Sequence, residues 1–482
     1  MGGKEIYEIV VGLEVHAQLS TQSKLFCGDS TVFGAEPNTQ VSVISLGHPG
    51  SLPMLNKRAI TMAVQLGLAT NCEIVRNNYF ARKNYFYPDL PKGYQISQHT
   101  TPICRNGFLE IDGANENRKI RINRIHMEED AGKSLHNESD EFTNLDFNRA
   151  GMPLLEIVTE PDIRSAEEAF SYVTKLRKLV RHLGVCDGNM EQGSLRCDVN
   201  ISIRKKGETK LGTKVEIKNL NSIRFIKKAI QSETDRLIAL VEKGEVILQQ
   251  TRGFNEDDFS TYAIRTKEDE DDYRYFAEPD LPPFFINDEM LQKIRSEMPM
   301  TEEELKQELI SKYSLPVYDA SQLSEHIDLI PFFKNIAAET SNNKAAVNWV
   351  IGPVRTYLLN NDLTIEHYPV KEESITTLIN LIDKGVINYG IATQKILPQL
   401  INDPSLDIID FLNKNALNVS NDSSEIDSFI EAALNKHENK ITEYKKGKKG
   451  LISLFVGEVM KLSKGKADAR IVTEKLIEKL KA

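Results

Sequence analysis

The hydrophobic period of this chain changes once along its length, and that change limits the folds open to it. Up to residue 292, short runs alternate apolar and polar side chains between clusters of turn residues, as strands do. Beyond AEPDLPPF (277–284), whose prolines interrupt regular structure, the period becomes 3.6 and stays there. The pattern predicts an α+β chain: a sheet-based domain over 1–292, a helical domain over 293–415 and a helical tail over 416–482. NVSNDSS (418–424) reads as the polar linker before the tail. A length of 482 residues suits several cores rather than one.

LRCDVNISIR (195–204) is the clearest strand. Cys197, Val199, Ile201 and Ile203 form its apolar face, and Arg196, Asp198, Asn200, Ser202 and Arg204 its polar face. KIRI (119–122) and VEIKN (215–219) alternate in the same way. After TEPDIRS a helix is signalled by Ser165 as N-cap, with Glu168 placed for a capping box. Val173, Leu176, Val180 and Leu183 recur at helical spacing, and Gly184 ends the run. A second helix starts near Ser222, with Ile226, Ile230, Leu237 and Val241 on one face and Gly244 closing it. GLISLFVGEVMKL and IVTEKLIEKL read as the last two helices of the tail.

Five cysteines lie far apart at 27, 72, 104, 186 and 197, with no CxxC pair, which indicates neither a disulfide framework nor a cysteine-only zinc site. No run approaches the ~20 apolar residues that span a bilayer. MGGKEIYEIV lacks the layout of a secretory signal, so a cytoplasmic location is expected. Net charge is −10, which argues against a surface that is basic throughout. The final stretch 441–482 nevertheless holds eleven Lys/Arg against five Asp/Glu, and the forty residues before it hold three against eight. That sign at the C-terminus suits a polyanionic partner.

The chemistry is concentrated in the strands. In VVGLEVHAQL (10–19), Leu13, Val15, Ala17 and Leu19 point one way, and Glu14, His16 and Gln18 the other. A solvated face and a metal site both fit that spacing. PLLEIV (153–158) sets Glu156 alone among apolar neighbours, where a carboxylate must be paired, protonated or metal-bound. VEIKN places Glu216 and Lys218 on one face, and HMEEDAGKS (126–134) adds Glu128, Glu129 and Asp130. Each group has a plain reading as an exposed strand edge, a solvated loop or a structural histidine. Taken together, carboxylates with one imidazole suit Mg²⁺ or Mn²⁺ better than Zn²⁺. AGKS is not a phosphate-binding loop of the Walker type, because Met127 stands where the first glycine is required. The acidic run KEDEDDYRYF (267–276) fits a solvated loop.

VVGLEVHAQL, FGAEPNT, ARKNYFYPDLPKGYQISQ, RIHMEEDAGKS, GMPLLEIVTEPDIRS, MEQGSLRCDVNISIR, VEIKNLNS and DDYRYFAEPDLPP, in this order, resemble the B subunits of bacterial glutamyl/aspartyl-tRNA amidotransferases. The tail segment LFVGEVMKLSKGKADARIV continues the resemblance. It implies a cradle with an antiparallel sheet, like glutamine synthetase and guanido kinases, then a helical domain and a YqeY-like tail. It implies a heterotrimer with an amidase (glutaminase) A subunit and a small C subunit. It also implies a ligase that forms C–N bonds with glutamine as amido donor, using ATP and Mg²⁺ at two sites. The side-chain carboxylate of Glu-tRNA(Gln) or Asp-tRNA(Asn) would be phosphorylated, then amidated by ammonia from the A subunit.

Carried onto this sequence, the resemblance implies Glu14, His16, Glu129, Glu156 and Glu216 as metal ligands. One cation would sit near His16, Glu129 and Glu156, and a second near Glu14, Glu129 and Glu216. Lys83, Arg196 and Lys218 would contact phosphate, Tyr85 would line the nucleotide pocket, and Lys92 would stand at the mouth of an ammonia channel. Glu129, Lys83 and Arg196 would form the catalytic set. Lys445, Lys446, Lys448, Lys449, Lys461, Lys464 and Lys466 of the tail would meet tRNA. One departure stands out. Family members often carry a zinc-binding cysteine cluster here, but Cys27 stands alone, followed by Asp29, and His48 in VSVISLGHPG does not restore four ligands. No structural zinc is expected. The alternative role, a tRNA-binding scaffold without catalysis, is disfavoured by the intact Glu/His set.

Overall fold

The computed structural model describes residues 6–112, 117–135, 142–266, 273–361, 363–415, 417, 423–445, 447–463, 467 and 469–481. The chain divides into two compact units, Met1–Pro299 and Met300–Ala482. Among the described residues no helix is long and apolar enough to cross a membrane.

The first unit is built on strands β1 (Tyr7–Gln18), β2 (Glu73–Ile74), β3 (Asn77–Asn78), β4 (Ala81–Asn84), β5 (Tyr94–Ser97), β6 (Cys104–Asp112), β7 (Asn117–Glu129), β8 (Lys133–Leu135) and β9 (Asn144–Asp146). They are followed by β10 (Pro153–Thr159), β11 (Leu195–Lys205), β12 (Val215–Lys218), β13 (Gln250–Phe254), β14 (Thr261–Thr266), β15 (Phe276–Ala277) and β16 (Phe284–Phe285). Its helices are α1 (Lys57–Ala69), α2 (Ala166–His182), α3 (Ile223–Glu242) and α4 (Asp288–Glu297). Twelve strands form one sheet in the order β14-β13-β12-β11-β1-β10-β7-β5-β4-β15, with β6 on β7 and β2 on β6.

The pairing is antiparallel except for β12 and β13, which run parallel. Parallel neighbours need a crossover, and α3 supplies it between these two strands. The alternation of the strands decides which face is covered. Leu13, Val15, Cys197, Val199, Ile201, Leu155 and Ile157 are buried with Val173, Leu176 and Val180 of α2 and Ile226, Ile230 and Leu237 of α3. The opposite face of the same strands keeps its polar residues. Ser165 caps α2 by accepting the Glu168 N–H at 3.0 Å, while the Glu168 carboxylate takes the Arg164 N–H, one residue short of a full capping box. Gly184, at φ +64°, turns the chain out of the helix. The unit runs on to Pro299 because Ile294 of α4 is buried in the same core.

The second unit is helical and holds two separate apolar cores. One runs from Leu305 to Leu412, and the other from Ile426 to Leu480. In the first, Val350–Val354 and Ala392–Ile396 adopt π-helical turns, the former around Pro353. Ile452–Leu462 and Ala469–Lys481 are the last two helices. Most of the linker predicted at 418–424 lies outside the described residues.

Candidate active site on the open face of the sheet

Antiparallel register lines up residues from distant parts of the chain. Arg196 pairs with His16, His16 with Glu156 and Glu156 with His126, which gives a polar rank across four strands. The next rank pairs Glu14 with Asp198, and Asn200 pairs with Glu216 on the neighbouring strand. Glu128 pairs with Ser97 at the β5 edge. Because each strand shows alternate residues to this face, side chains read separately in the sequence converge on one basin.

His16 Nε2 lies 3.5 Å from Glu128 Oε1, 3.5 Å from Glu156 Oε2 and 3.8 Å from Glu14 Oε1. His126 Nε2 lies 3.3 Å from Glu156 Oε2 and 3.5 Å from Glu128 Oε2. Two triads bring their ligand atoms within 4.8 Å of one another: His16, Glu128 and Glu156, and Glu14, His16 and Asp198. Cations rim the basin. Lys218 Nζ donates to Asp198 Oδ2 at 2.7 Å and stands 3.5 Å from Glu216. Glu216 also accepts the Thr251 hydroxyl at 2.8 Å. Arg196 donates to the buried carboxylate of Asp130 at 2.8 Å.

The electrostatics follow from burial and proximity. Burial alone would lower both imidazoles, but hydrogen bonds to and charge on Glu156, joined by Glu128, lift His16 and His126 to about 9. The same contacts hold Glu156 well below the usual carboxylate range, against the penalty of burial, and Glu128 is lowered too. Glu14 goes the other way, raised by burial and then by the charge of Glu156. Lys83 is held charged despite burial, chiefly by Glu128. Imidazoles protonated without a cation, beside carboxylates kept ionised, match a donor set that a divalent cation would take over. Carboxylate oxygens with an imidazole and adjacent lysines suit Mg²⁺ or Mn²⁺ carrying phosphates.

Of the residues implied as ligands, Glu14, His16 and Glu156 meet in the basin, and Glu216 lies at its side next to Lys218. Glu129 is placed elsewhere. It is the odd neighbour of Glu128 and turns the other way along β7. Its carboxylate pairs with Lys92 Nζ and accepts the Ile96 N–H at 2.8 Å. Lys92 and Glu129 line a cavity of about 210 Å³ together with Phe26, Cys27, His48 and Tyr94. Glu128, His126 and Asp198 are absent from the ligand set that the sequence resemblance implies. The signal for two of them was available: in RIHMEED, Ile125 and Met127 are apolar, so His126 and Glu128 must share the other face.

Lys83, on β4, places Nζ 5.7 Å from the Tyr85 ring centroid. The Cys27 loop is tied by Asp29, whose carboxylate accepts the Ser42 N–H at 2.9 Å and the Ser45 hydroxyl at 2.6 Å. The fully buried Lys24 Nζ donates to the carbonyls of Gln40 at 2.7 Å and Phe147 at 3.3 Å. In the tail, Lys445 and Lys461 are exposed, Lys448 pairs with Glu443 at 2.9 Å, and Lys449 lies 4.4 Å above the Tyr444 ring. Lys446, Lys464 and Lys466 lie outside the described residues.

Comparison with known proteins gives the same answer at both ends of the chain. Residues 9–292 match the model of the GatB/GatE catalytic domain, and residues 331–480 match that of the GatB domain. The aspartyl/glutamyl-tRNA(Asn/Gln) amidotransferase B subunit of Thermodesulfovibrio yellowstonii is 46% identical over 475 residues, covering 98% of this chain and 99% of the relative. The B subunits of the same enzyme from Persephonella marina and Pseudomonas syringae pv. syringae are also 46% identical, over 476 and 481 residues, with 98% of this chain and 100% and 99% of the relatives covered. The chain belongs to the family of aspartyl/glutamyl-tRNA(Asn/Gln) amidotransferase B subunits.

Proposed function

We propose that this chain is the ATP-consuming subunit of a tRNA-dependent amidotransferase, acting on the side-chain carboxylate of Glu-tRNA(Gln), Asp-tRNA(Asn) or both. The observation that carries the reading is the convergence of His16, Glu128 and Glu156 within 4.8 Å beside Lys83, Arg196 and Lys218. His16, Glu128 and Glu156 would hold one divalent cation, and Glu14 with Asp198 a second, with Glu216 at hand beside Lys218. When bound, such cations neutralise a triphosphate and orient it for in-line attack. Lys83, Arg196 and Lys218 bring positive charge to the phosphate oxygens, and Asp130 fixes the guanidinium of Arg196. The substrate carboxylate oxygen attacks the γ-phosphorus and ADP leaves. Ammonia then attacks the acyl carbon, phosphate leaves and one proton is lost.

In this reading Lys92 and Glu129 lie at the mouth of the path by which ammonia arrives from a glutaminase A subunit, with a C subunit completing the heterotrimer. The cradle is analogous to glutamine synthetase, and the tail, 416–482, carries the tRNA contact through Lys445, Lys448, Lys449, Lys461 and their neighbours. Asp29 and Lys24 tie the loop in which the resemblance implies a zinc-binding cysteine cluster for other members of the family. The test separates two neighbouring carboxylates in the assembled complex. Glu128→Gln and Glu156→Gln are expected to abolish ATP-dependent phosphate release on misacylated tRNA. Glu129→Gln is expected to keep that release while losing glutamine-dependent amidation. Normal phosphate release in Glu156→Gln would sink the reading.

A further inference from the structure

At its β4–β5 end the polar rank meets a wall of aromatic rings. Lys83 Nζ lies 4.7 Å from the Tyr273 ring centroid, and Tyr85 and Tyr273 stand edge to face at 6.0 Å. Tyr85 meets Tyr87 at 5.8 Å and Tyr273 meets Tyr275 at 6.2 Å, again edge to face. Tyr275 is backed by His99, stacked at 4.0 Å with an interplanar angle of 5°. The wall is anchored. Asn84 donates to the Arg274 carbonyl at 2.9 Å, and β15 pairs with β4 through Phe276 and Arg82. Arg274 sits at φ +46°, a left-handed conformation uncommon for a long side chain, as the chain turns between the two tyrosines. At the outer end the rings are open to solvent, Tyr87 at 50% and Phe86 at 92% exposure.

Rings recruited only for core packing would be covered. These run from the ammonium beside Glu128 and Glu156 out to solvent. We propose that Tyr273, Tyr85 and Tyr87 form a nucleobase-stacking wall for the unpaired 3′ end of an aminoacylated RNA, in place of the nucleotide-pocket role that the resemblance implies for Tyr85, an assignment that rests on the function proposed above. Every base offers a π-face, so stacking needs no base-specific hydrogen bonds. A mononucleotide carries one base and needs one ring, whereas a single strand lays successive bases along a series of rings. The inner end of the wall adjoins the carboxylate basin, where the esterified amino acid must present its side chain. Lys83 stands between the two, with its ammonium over the Tyr273 ring at the inner end of the wall.

The test uses the assembled complex and two fluorescent probes: tRNA carrying 2-aminopurine at its 3′ terminus, and 2-aminopurine riboside triphosphate. The RNA probe is expected to be quenched by the wild-type complex and to recover its emission with Tyr273→Ala and Tyr87→Ala. KM for aminoacyl-tRNA should rise roughly tenfold in these variants while KM for ATP stays in place. Tyr273→Phe and Tyr87→Phe should behave as wild type, because the ring and not the hydroxyl is used. The Phe variants also control for folding. Quenching of the triphosphate in place of the RNA would give the wall to ATP and overturn the proposal. So would alanine variants with unchanged KM for tRNA in a complex that still releases phosphate. The latter outcome leaves the proposed function intact, whereas phosphate release by Glu156→Gln would remove it.

Discussion

Glu128 and Glu129 are adjacent in sequence and sit in different chemistry. Parity assigns each its place, and parity was readable: Ile125 and Met127 fix which residues of RIHMEED face the core side. Family resemblance instead points to Glu129, and the role of His126 is hidden in the sequence because its partner Glu156 lies on another strand. Glu156 itself was legible as a carboxylate in need of a partner, and it has two imidazoles. Those imidazoles set a pH dependence. Both have folded-state values raised from 6.5 to about 9, so their stabilisation is complete below pH 6.5 and is lost as pH rises through 9. The melting temperature of EDTA-treated protein is therefore expected to fall between pH 6.5 and 9. Because a cation must displace those protons, Mn²⁺ affinity should rise across the same window. A melting temperature that stays flat over that range would show that the two histidines are neutral.

At the scale of elements, alternation located β1, β10 and β11 and the helical period located α2 and α3, because each buries one face and leaves the other open. Pairing direction was not legible. That β12 and β13 run parallel depends on where α3 returns the chain, which is tertiary packing. The loop around Cys27 is a similar case. Its lone cysteine argued against a structural zinc, but the sequence did not show which side chains tie the loop. Asp29 gathers an amide and a hydroxyl from the far side of the loop. Asp29→Ala is expected to lower unfolding free energy by about 1–3 kcal/mol, since hydrogen bonds to a partly exposed charge are lost. Denaturant melts measure this, and elemental analysis of the wild type is expected to find no tightly held zinc. A stoichiometric zinc ion would contradict both the reading of the loop and the cause of the loss.

At the scale of the whole molecule, the chain divides into a sheet-based unit and a helical one, and the second unit holds two cores rather than one. The tail core from Ile426 to Leu480 shares no residue with the core before it. Removing 416–482 is thus expected to leave a cooperative folding transition in the remainder. It should also weaken tRNA binding and flatten its salt dependence, because phosphate contacts made by lysines are lost. Filter binding across a range of salt concentrations checks this, and an unchanged slope would take the tRNA contact away from the tail. The charge contrast suggesting a polyanion was visible in composition, whereas the placement of the exposed lysines was not.

The end of β7 makes the sheet a partition. One peptide unit separates a carboxylate that faces the basin from one that faces the Lys92 cavity. Where no bulge absorbs the change, a strand that loses or gains a single residue exchanges its two sides. A one-residue insertion between Ile125 and His126, beyond the bulge that β7 already carries opposite Val158 and Thr159, would keep every charged group of RIHMEED and still deliver those after Ile125 to the wrong compartment. Such a variant should lose ATP-dependent phosphate release, and amidation with it, although every side chain of the motif is still present.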